Sequence, residues 1–154
     1  MEKFLLSLAA RYYNEDLVKY ALAFAKQREA TLSVLFVLDE ELTNGIIDQL
    51  IDVGFIGDKP SEELRGAVLN EYEEQAKKQL DSIKTIAEKE GVKISTSVVN
   101  GDFVDTTLAR AIDNAVDLII LNRERKGAVS KLFKGSPVDK LIKNAPCEVK
   151  VFES

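Results

Sequence analysis

The sequence predicts an α/β fold in which a parallel sheet carries helices on both faces. The alternation of elements favours this class, and length and composition favour a single globular domain. Short apolar runs, which suit buried strands, alternate along the chain with longer segments in which apolar residues recur at helical spacing. A length of 154 residues fits a single domain over residues 1–154. The content of 45% hydrophobic and 31% charged residues is typical of a globular chain and argues against intrinsic disorder.

The first forty residues predict a strand, a helix and a second strand. The run from Phe4 to Ala9 is nearly all apolar, as in a strand that is buried on both faces. Asn14 can cap a helix that continues through Lys26. The apolar, partly β-branched run from Thr31 to Leu38 predicts the second strand. Together these segments predict a βαβ unit with a right-handed crossover.

An irregular insert over residues 40–60 separates this unit from a long helix. The insert holds more apolar residues than a solvated loop needs, so it could cover a site or contact a partner. These residues are Ile46, Ile47, Leu50, Ile51, Phe55 and Ile56. Helical spacing then predicts a helix from about Ser61 to Glu90, and Gly91 is a natural stop.

The second half of the chain continues the alternation. Val92–Val99 alternates between apolar and polar residues, which predicts a third strand at an edge of the sheet. We expect a helix to begin at Asp105 or Thr106, and the run Leu118–Leu121 predicts a fourth strand.

The C-terminal region predicts one more helix and one more strand. Ser136 is a candidate N-cap, and Pro137 suits the first position of a helix that reaches about Asn144. Glu148–Phe152 is the last predicted strand. The whole order predicts a doubly wound, Rossmann-like parallel sheet of five strands in the order 3-2-1-4-5.

The last strand would lie at an edge of that sheet. An exposed edge carries unpaired backbone groups and invites pairing with another chain. Pairing with the same strand of a second copy removes the exposed edge and gives a two-fold dimer. We therefore expect a homodimer through the C-terminal edge strand.

Charge and cysteine content restrict the partners. The net charge of −5 disfavours nucleic acid and anionic membranes, because both bind clustered positive charge. No stretch approaches the length of a membrane span. The single cysteine, Cys147, cannot form an internal disulfide, which suits a cytoplasmic protein, and its place before the last strand predicts a buried, inert thiol.

The sequence contains no histidine, which removes the commonest general base and the commonest metal ligand. We therefore expect neither an enzyme of the usual hydrolytic kinds nor a metal site. Asp39, Glu40 and Glu41 form a carboxylate cluster that could hold a hard cation, but a charged loop of this kind is usually solvated.

Ligands of doubly wound sheets bind beyond the carboxyl ends of the strands. Four loops meet that condition, at residues 9–14, 37–40, 100–102 and 122–136. Gly135 and Ser136 open a helix in the last of them, where free backbone N–H groups favour an anion. The alternative is an ordinary turn followed by an ordinary helix cap.

Four segments follow one another along the chain: Tyr20–Asp39, Val116–Asn122, Gly135-Ser136 and Asn144–Cys147. In their order and spacing they resemble the universal stress protein family. The resemblance covers nearly the whole chain, including the irregular insert after the second strand. It implies the doubly wound fold, and it implies dimerisation through the last strand.

The resemblance also implies where ATP would bind and what this chain lacks. ATP-binding members carry an aspartate at the end of the first strand, and the corresponding residue here is Ala9. They also carry a loop with three spaced glycines followed by Ser or Thr. In this chain Asn122 and Arg125 stand at the first two glycine positions, and only Gly135 and Ser136 match.

These departures predict a non-enzymatic stress-response protein that acts through an unidentified protein partner and needs no cofactor. The alternative is a switch that binds ATP or AMP. Its phosphate would lie at Gly135 and Ser136, and its adenine at the backbone of Val37. Gly101, Asn122 and Arg125 are further candidate contacts.

A basic loop adjoins this site and supplies cations that could hold phosphate through side chains. It comprises Arg123, Arg125, Lys126, Lys131 and Lys134. A third hypothesis is a carrier of some other small anion at this loop. The alternative is a solvated charged loop that binds no ligand.

Overall fold

The computed structural model describes residues 1–10, 13–39, 44–45, 47–49, 62–123 and 137–153. Strands and helices alternate along these residues. They are β1 Lys3–Leu8, α1 Glu15–Arg28, β2 Thr31–Asp39, α2 Glu62–Glu90, β3 Ile94–Gly101, α3 Phe103–Asp113, β4 Leu118–Arg123, α4 Pro137–Asn144 and β5 Glu148–Glu153. The described residues of the insert, 44–45 and 47–49, are helical as well.

The five strands form one parallel sheet in the order β3-β2-β1-β4-β5, which confirms the predicted topology. β1 is the central strand, and Leu6 lies opposite Val34 of β2 on one side and Ile120 of β4 on the other. The winding reverses between β1 and β4, so the carboxyl ends of these two strands form the switch point where ligands of such sheets bind.

Among the described residues, a pair of helices packs on each face of the sheet. Helices α1 and α2 pack on the first face, where Phe4 and Leu6 of β1 meet Ile83 of α2. Helices α3 and α4 cover the second face, where Leu5 meets Phe103. Successive residues of β1 therefore point into different cores, which explains why the whole strand is apolar.

Helix α1 begins where its sequence predicts. The side-chain oxygen of Asn14 accepts hydrogen bonds from the backbone N–H groups of Asp16, at 2.8 Å, and Leu17, at 3.3 Å. These bonds satisfy donors that the first turn of a helix leaves open.

Helix α3 begins earlier than the predicted Asp105 or Thr106. Its first residue is Phe103, because Asp102 is the N-cap and its side chain accepts from the backbone N–H of Asp105 at 2.9 Å. Phe103 and Val104 are buried on the helix face that packs on the sheet. The prediction missed the cap because a single aspartate after a glycine turn has several conformational options.

Both edges of the sheet fall where the sequence predicts, with β3 on one side and β5 on the other. β5 is half-buried along its centre. Phe152 lies 5.8 Å from Tyr20 between ring centroids, and the ammonium of Lys150 lies 4.5 Å from the centroid of Phe24. Strand β5 is therefore held by α1 as well as by β4.

A buried pair of hydroxyl groups connects the central strand with the second face. Ser7 of β1 and Thr107 of α3 are fully buried, and their side-chain oxygens lie 2.7 Å apart. Thr107 donates to the carbonyl of Phe103, also at 2.7 Å, so Ser7 donates to Thr107. Within the described part of the chain, no helix is both long and apolar enough to cross a bilayer.

Candidate functional site

The carboxyl ends of the strands bring three of the predicted site residues to one edge of the sheet. Val37 lies near the end of β2, Gly101 ends β3, and Asn122 is the penultimate residue of β4. The other three predicted residues, Arg125, Gly135 and Ser136, lie outside the described residues. The anion site predicted from Gly135 and Ser136 therefore stays a prediction.

Ala9 directly follows β1 at the switch point. It is 1% exposed and belongs to the core of the second face, together with Leu5, Val37 and Phe103. A methyl group cannot accept a hydrogen bond, and a carboxylate here would need partners to offset its burial. The end of β1 is therefore apolar at the position where the family resemblance implies an aspartate.

Strand β2 continues three residues beyond its neighbour β1. The pairing with β1 ends at Phe36, whereas the pairing with β3 continues through Val37 and Leu38 to Asp39. This difference leaves a recess between the end of β1 and the exposed flank of β2. We refer to this recess as the strand-end notch.

The strand-end notch opens into a cavity of about 220 Å³ between the end of β2 and α2. Its walls combine aromatic rings, amides and main chain. The lining residues are Ala10, Tyr13, Phe36, Val37, Leu38, Asp39, Tyr72, Gln75, Ala76 and Gln79. Small-molecule pockets usually measure about 300–1,000 Å³, so this cavity suits a single ring system and not a whole nucleoside triphosphate.

Three polar residues of this cavity come from α2 and were not predicted as site residues. Tyr72, Gln75 and Gln79 lie three, four and seven residues apart, so they share one face of the helix. The sequence showed the apolar stripe that includes Tyr72 and Ala76. The two glutamines lie beside that stripe and could have been found from their spacing.

Asn122 is 2% exposed, and its side-chain oxygen has no hydrogen-bond donor among the described residues. It lies opposite Phe152 in the register of β4 with β5. Leu118 and Ile120, two and four residues earlier, belong to the core under α1, so Asn122 faces the same side. An unsatisfied buried acceptor costs about 1–3 kcal/mol, so this amide is ready to accept a bond from a further group.

Packing against α3 explains why residue 101 is a glycine. A Cβ atom at this position would lie 2.8 Å from the side-chain oxygen of Thr106, closer than such atoms approach in folded proteins. The close approach of Thr106, together with the φ of +156° at Gly101, therefore favours glycine here whether or not a ligand binds. A direct contact of Gly101 with a ligand stays a prediction.

Charged groups at this edge are partly neutralised. Arg123, the described residue of the basic loop, forms an ion pair with Asp139 of α4. The carboxylate cluster is described only at Asp39, and the described residues contain no group of three or more potential metal ligands.

Cys147 lies before β5 and is half-buried, which is less burial than the sequence predicts. Its pKa is raised, chiefly because burial disfavours the thiolate and further because Asp117 carries a negative charge nearby. At neutral pH the residue is a thiol, so it lacks the character of a reactive nucleophile.

Comparisons with known proteins agree with this architecture. The model of the universal stress protein family matches residues 12–152. Two universal stress proteins of Methanocaldococcus jannaschii are similar in sequence. MJ0531 is 26% identical over 136 residues, 88% of this chain and 72% of that protein. MJ0577 is 29% identical over 133 residues, 85% of this chain and 82% of that protein.

Solved structures share the fold. The structure of MJ0577 has a TM-score of 0.72 at 24% identity and covers 100% of this chain and 97% of its own. A universal stress protein in complex with cAMP has a TM-score of 0.59 at 14% identity, covering 99% and 96%. One from Archaeoglobus fulgidus in complex with dAMP has a TM-score of 0.55 at 15% identity, covering 98% of each chain.

Proposed function

This chain belongs to the universal stress protein family, and we propose that within it the chain is a non-enzymatic stress protein that acts through protein partners. In this proposal it does not bind ATP in the way that the family resemblance implies. The proposal rests on Ala9, whose buried methyl group lies at the end of β1. A ribose at this position would lose the acceptor for its hydroxyl groups.

Two further features support the proposal, one against catalysis and one for action through partners. Histidine is absent from the sequence, so no imidazole can act as a general base. Ile112 of α3 and Ile142 of α4 are 62% and 42% exposed on the second helical layer. Large apolar side chains at the surface are available for contact with a partner.

Nucleotide binding can be tested directly on the purified protein. We expect denaturation to release no nucleotide, and calorimetric titration with ATP or AMP to give no heat, with or without magnesium. The Archaeoglobus fulgidus protein whose structure contains dAMP provides the positive control. Released nucleotide, or ATP binding with a sub-millimolar dissociation constant, would contradict the proposal.

The second candidate function is a switch that binds an adenine nucleotide. Asn122 and the strand-end notch favour it, because an unsatisfied buried acceptor and a cavity for one ring lie at the same edge of the sheet. Relatives in complex with cAMP and dAMP support this candidate. In this arrangement the base lies beside Val37 in the notch, and the phosphate lies at Gly135 and Ser136.

The partners in this proposal include a second copy of the chain. β5 is an edge strand, and its outer backbone groups would be satisfied by pairing with the same strand of another copy. The single thiol and the acidic charge of −5 support a cytoplasmic location and a partner other than nucleic acid or membrane.

A further inference from the structure

A groove separates helices α1 and α2 and continues from the strand-end notch along α2. It encloses about 360 Å³ and shares Tyr13 and Gln79 with the notch. We refer to it as the helical groove. Glu15, Val18 and Lys19 line it from α1, and Lys78, Ile83 and Ile86 line it from α2.

The floor of the helical groove is apolar. Val18 of α1 is 3% exposed and Ile83 of α2 is 1% exposed, so both belong to the core beneath. Ile86 continues the apolar surface toward solvent and is 39% exposed. From Gln79 to Ile86 the helix advances by about 10 Å, which accommodates an extended apolar group of roughly eight carbons.

Each wall of the helical groove carries one lysine. Lys19 belongs to α1 and Lys78 to α2, and neither forms an ion pair within the described part of the chain. One carboxylate, Glu15, lines the same cavity. Two ammonium groups against one carboxylate leave a net positive charge above an apolar floor.

Tyr13 stands at the end of the groove that adjoins the notch. Burial, and to a smaller extent the negative charge of Glu15, raises the pKa of its phenol. The hydroxyl is therefore protonated at neutral pH and can donate a hydrogen bond. It adds a neutral donor to the two ammonium groups.

We propose that the helical groove binds an amphipathic organic acid with a single carboxylate and an apolar body of about eight carbons. The apolar body lies on Val18, Ile83 and Ile86, and the carboxylate lies between Lys19 and Lys78. A doubly charged phosphate ester fits less well, because its larger desolvation cost would be incurred against an apolar floor. This site does not depend on whether the strand-end notch binds a nucleotide.

Octanoate is the probe that tests this site, by calorimetry and by chemical shifts of the methyl groups of Val18, Ile83 and Ile86. The double variant K19Q/K78Q removes both ammonium groups and should weaken octanoate binding about tenfold or more. K84Q/K140Q is the matched control, because it removes two exposed lysines that do not line the groove and changes the net charge equally. The control should bind octanoate like the unmodified protein.

Two further measurements separate the apolar and the charged contributions to octanoate binding. Octylammonium, which has a similar body and the opposite charge, should bind more weakly than octanoate. Ile86→Asn, at a partly exposed position, should weaken octanoate binding several-fold, and circular dichroism verifies that this variant is folded. The proposal is overturned by absence of octanoate binding at millimolar concentration, by equal binding of octylammonium, by equal affinity in the two double variants, or by methyl shifts confined to other residues.

Discussion

Asn122 is almost completely buried, and its side-chain oxygen accepts no hydrogen bond from any of the described residues. The sequence indicated this residue because the family resemblance implies glycine there, but burial is a property of the assembled sheet. Stability and function make opposite demands on such a side chain. An apolar residue of similar size would remove the unsatisfied group, whereas a ligand would need it.

Replacing Asn122 with leucine should therefore stabilise the protein by about 1–2 kcal/mol, because no hydrogen bond is lost and apolar surface is gained. Thermal unfolding measures this as a rise of about 2–6 °C in Tm. Asn100→Leu, at an exposed position near the end of β3, is the control and should change stability by less than about 0.5 kcal/mol. A clear loss of stability in the Asn122 variant would mean that its amide has a partner.

Gly101 gives a second prediction at this scale. Gly101→Ala brings a Cβ atom to within 2.8 Å of Thr106 and should destabilise the protein by about 1–3 kcal/mol. Gly66→Ala is the matched control, because Gly66 lies within α2 with open space around it and should stabilise by about 0.5–1 kcal/mol. Urea denaturation compares the two, and equal effects would refute the packing explanation.

Strand β5 is the edge strand through which we propose that two copies of the chain pair. Its centre packs on α1 through Lys150 and Phe152, so the strand is already ordered before any partner arrives. Ordering in advance lowers the entropic cost of pairing. The edge is thus well prepared to accept another strand.

Val151→Pro removes a backbone donor from β5 and should convert dimers into monomers, as measured by light scattering. Val151→Thr keeps both the N–H group and the branched shape, so it should remain dimeric. Circular dichroism verifies that both variants are folded. A proline variant that is folded and still dimeric would reject this interface.

The elements themselves were largely predictable from local patterns. β1, β2 and β4 follow continuous apolar runs, and α1 follows its Asn14 cap. The start of α3 was not predictable in the same way, since the Asp102 cap depends on how the chain leaves β3. Local signals therefore determined which elements form, and tertiary context determined one of their boundaries.

The topology of the whole molecule was predictable because alternating strands and helices allow few right-handed arrangements. The described site was predictable only in part. Val37, Gly101 and Asn122 were placed at the correct edge of the sheet, because all parallel strands end there. The glutamines of α2 were missed, because their spacing shows only that they share a helix face, and that this face lies over β2 depends on packing between elements far apart in sequence.

The unequal lengths of β1 and β2 have a consequence for how this region can change. Strand β2 extends three residues beyond β1, which is about 10 Å of extended chain, and this difference sets the depth of the strand-end notch. Main-chain geometry, unlike side-chain shape, survives most point substitutions. Substitutions can therefore change the side chains that line the strand-end notch, and with them the ligand that would fit it, while the recess itself persists.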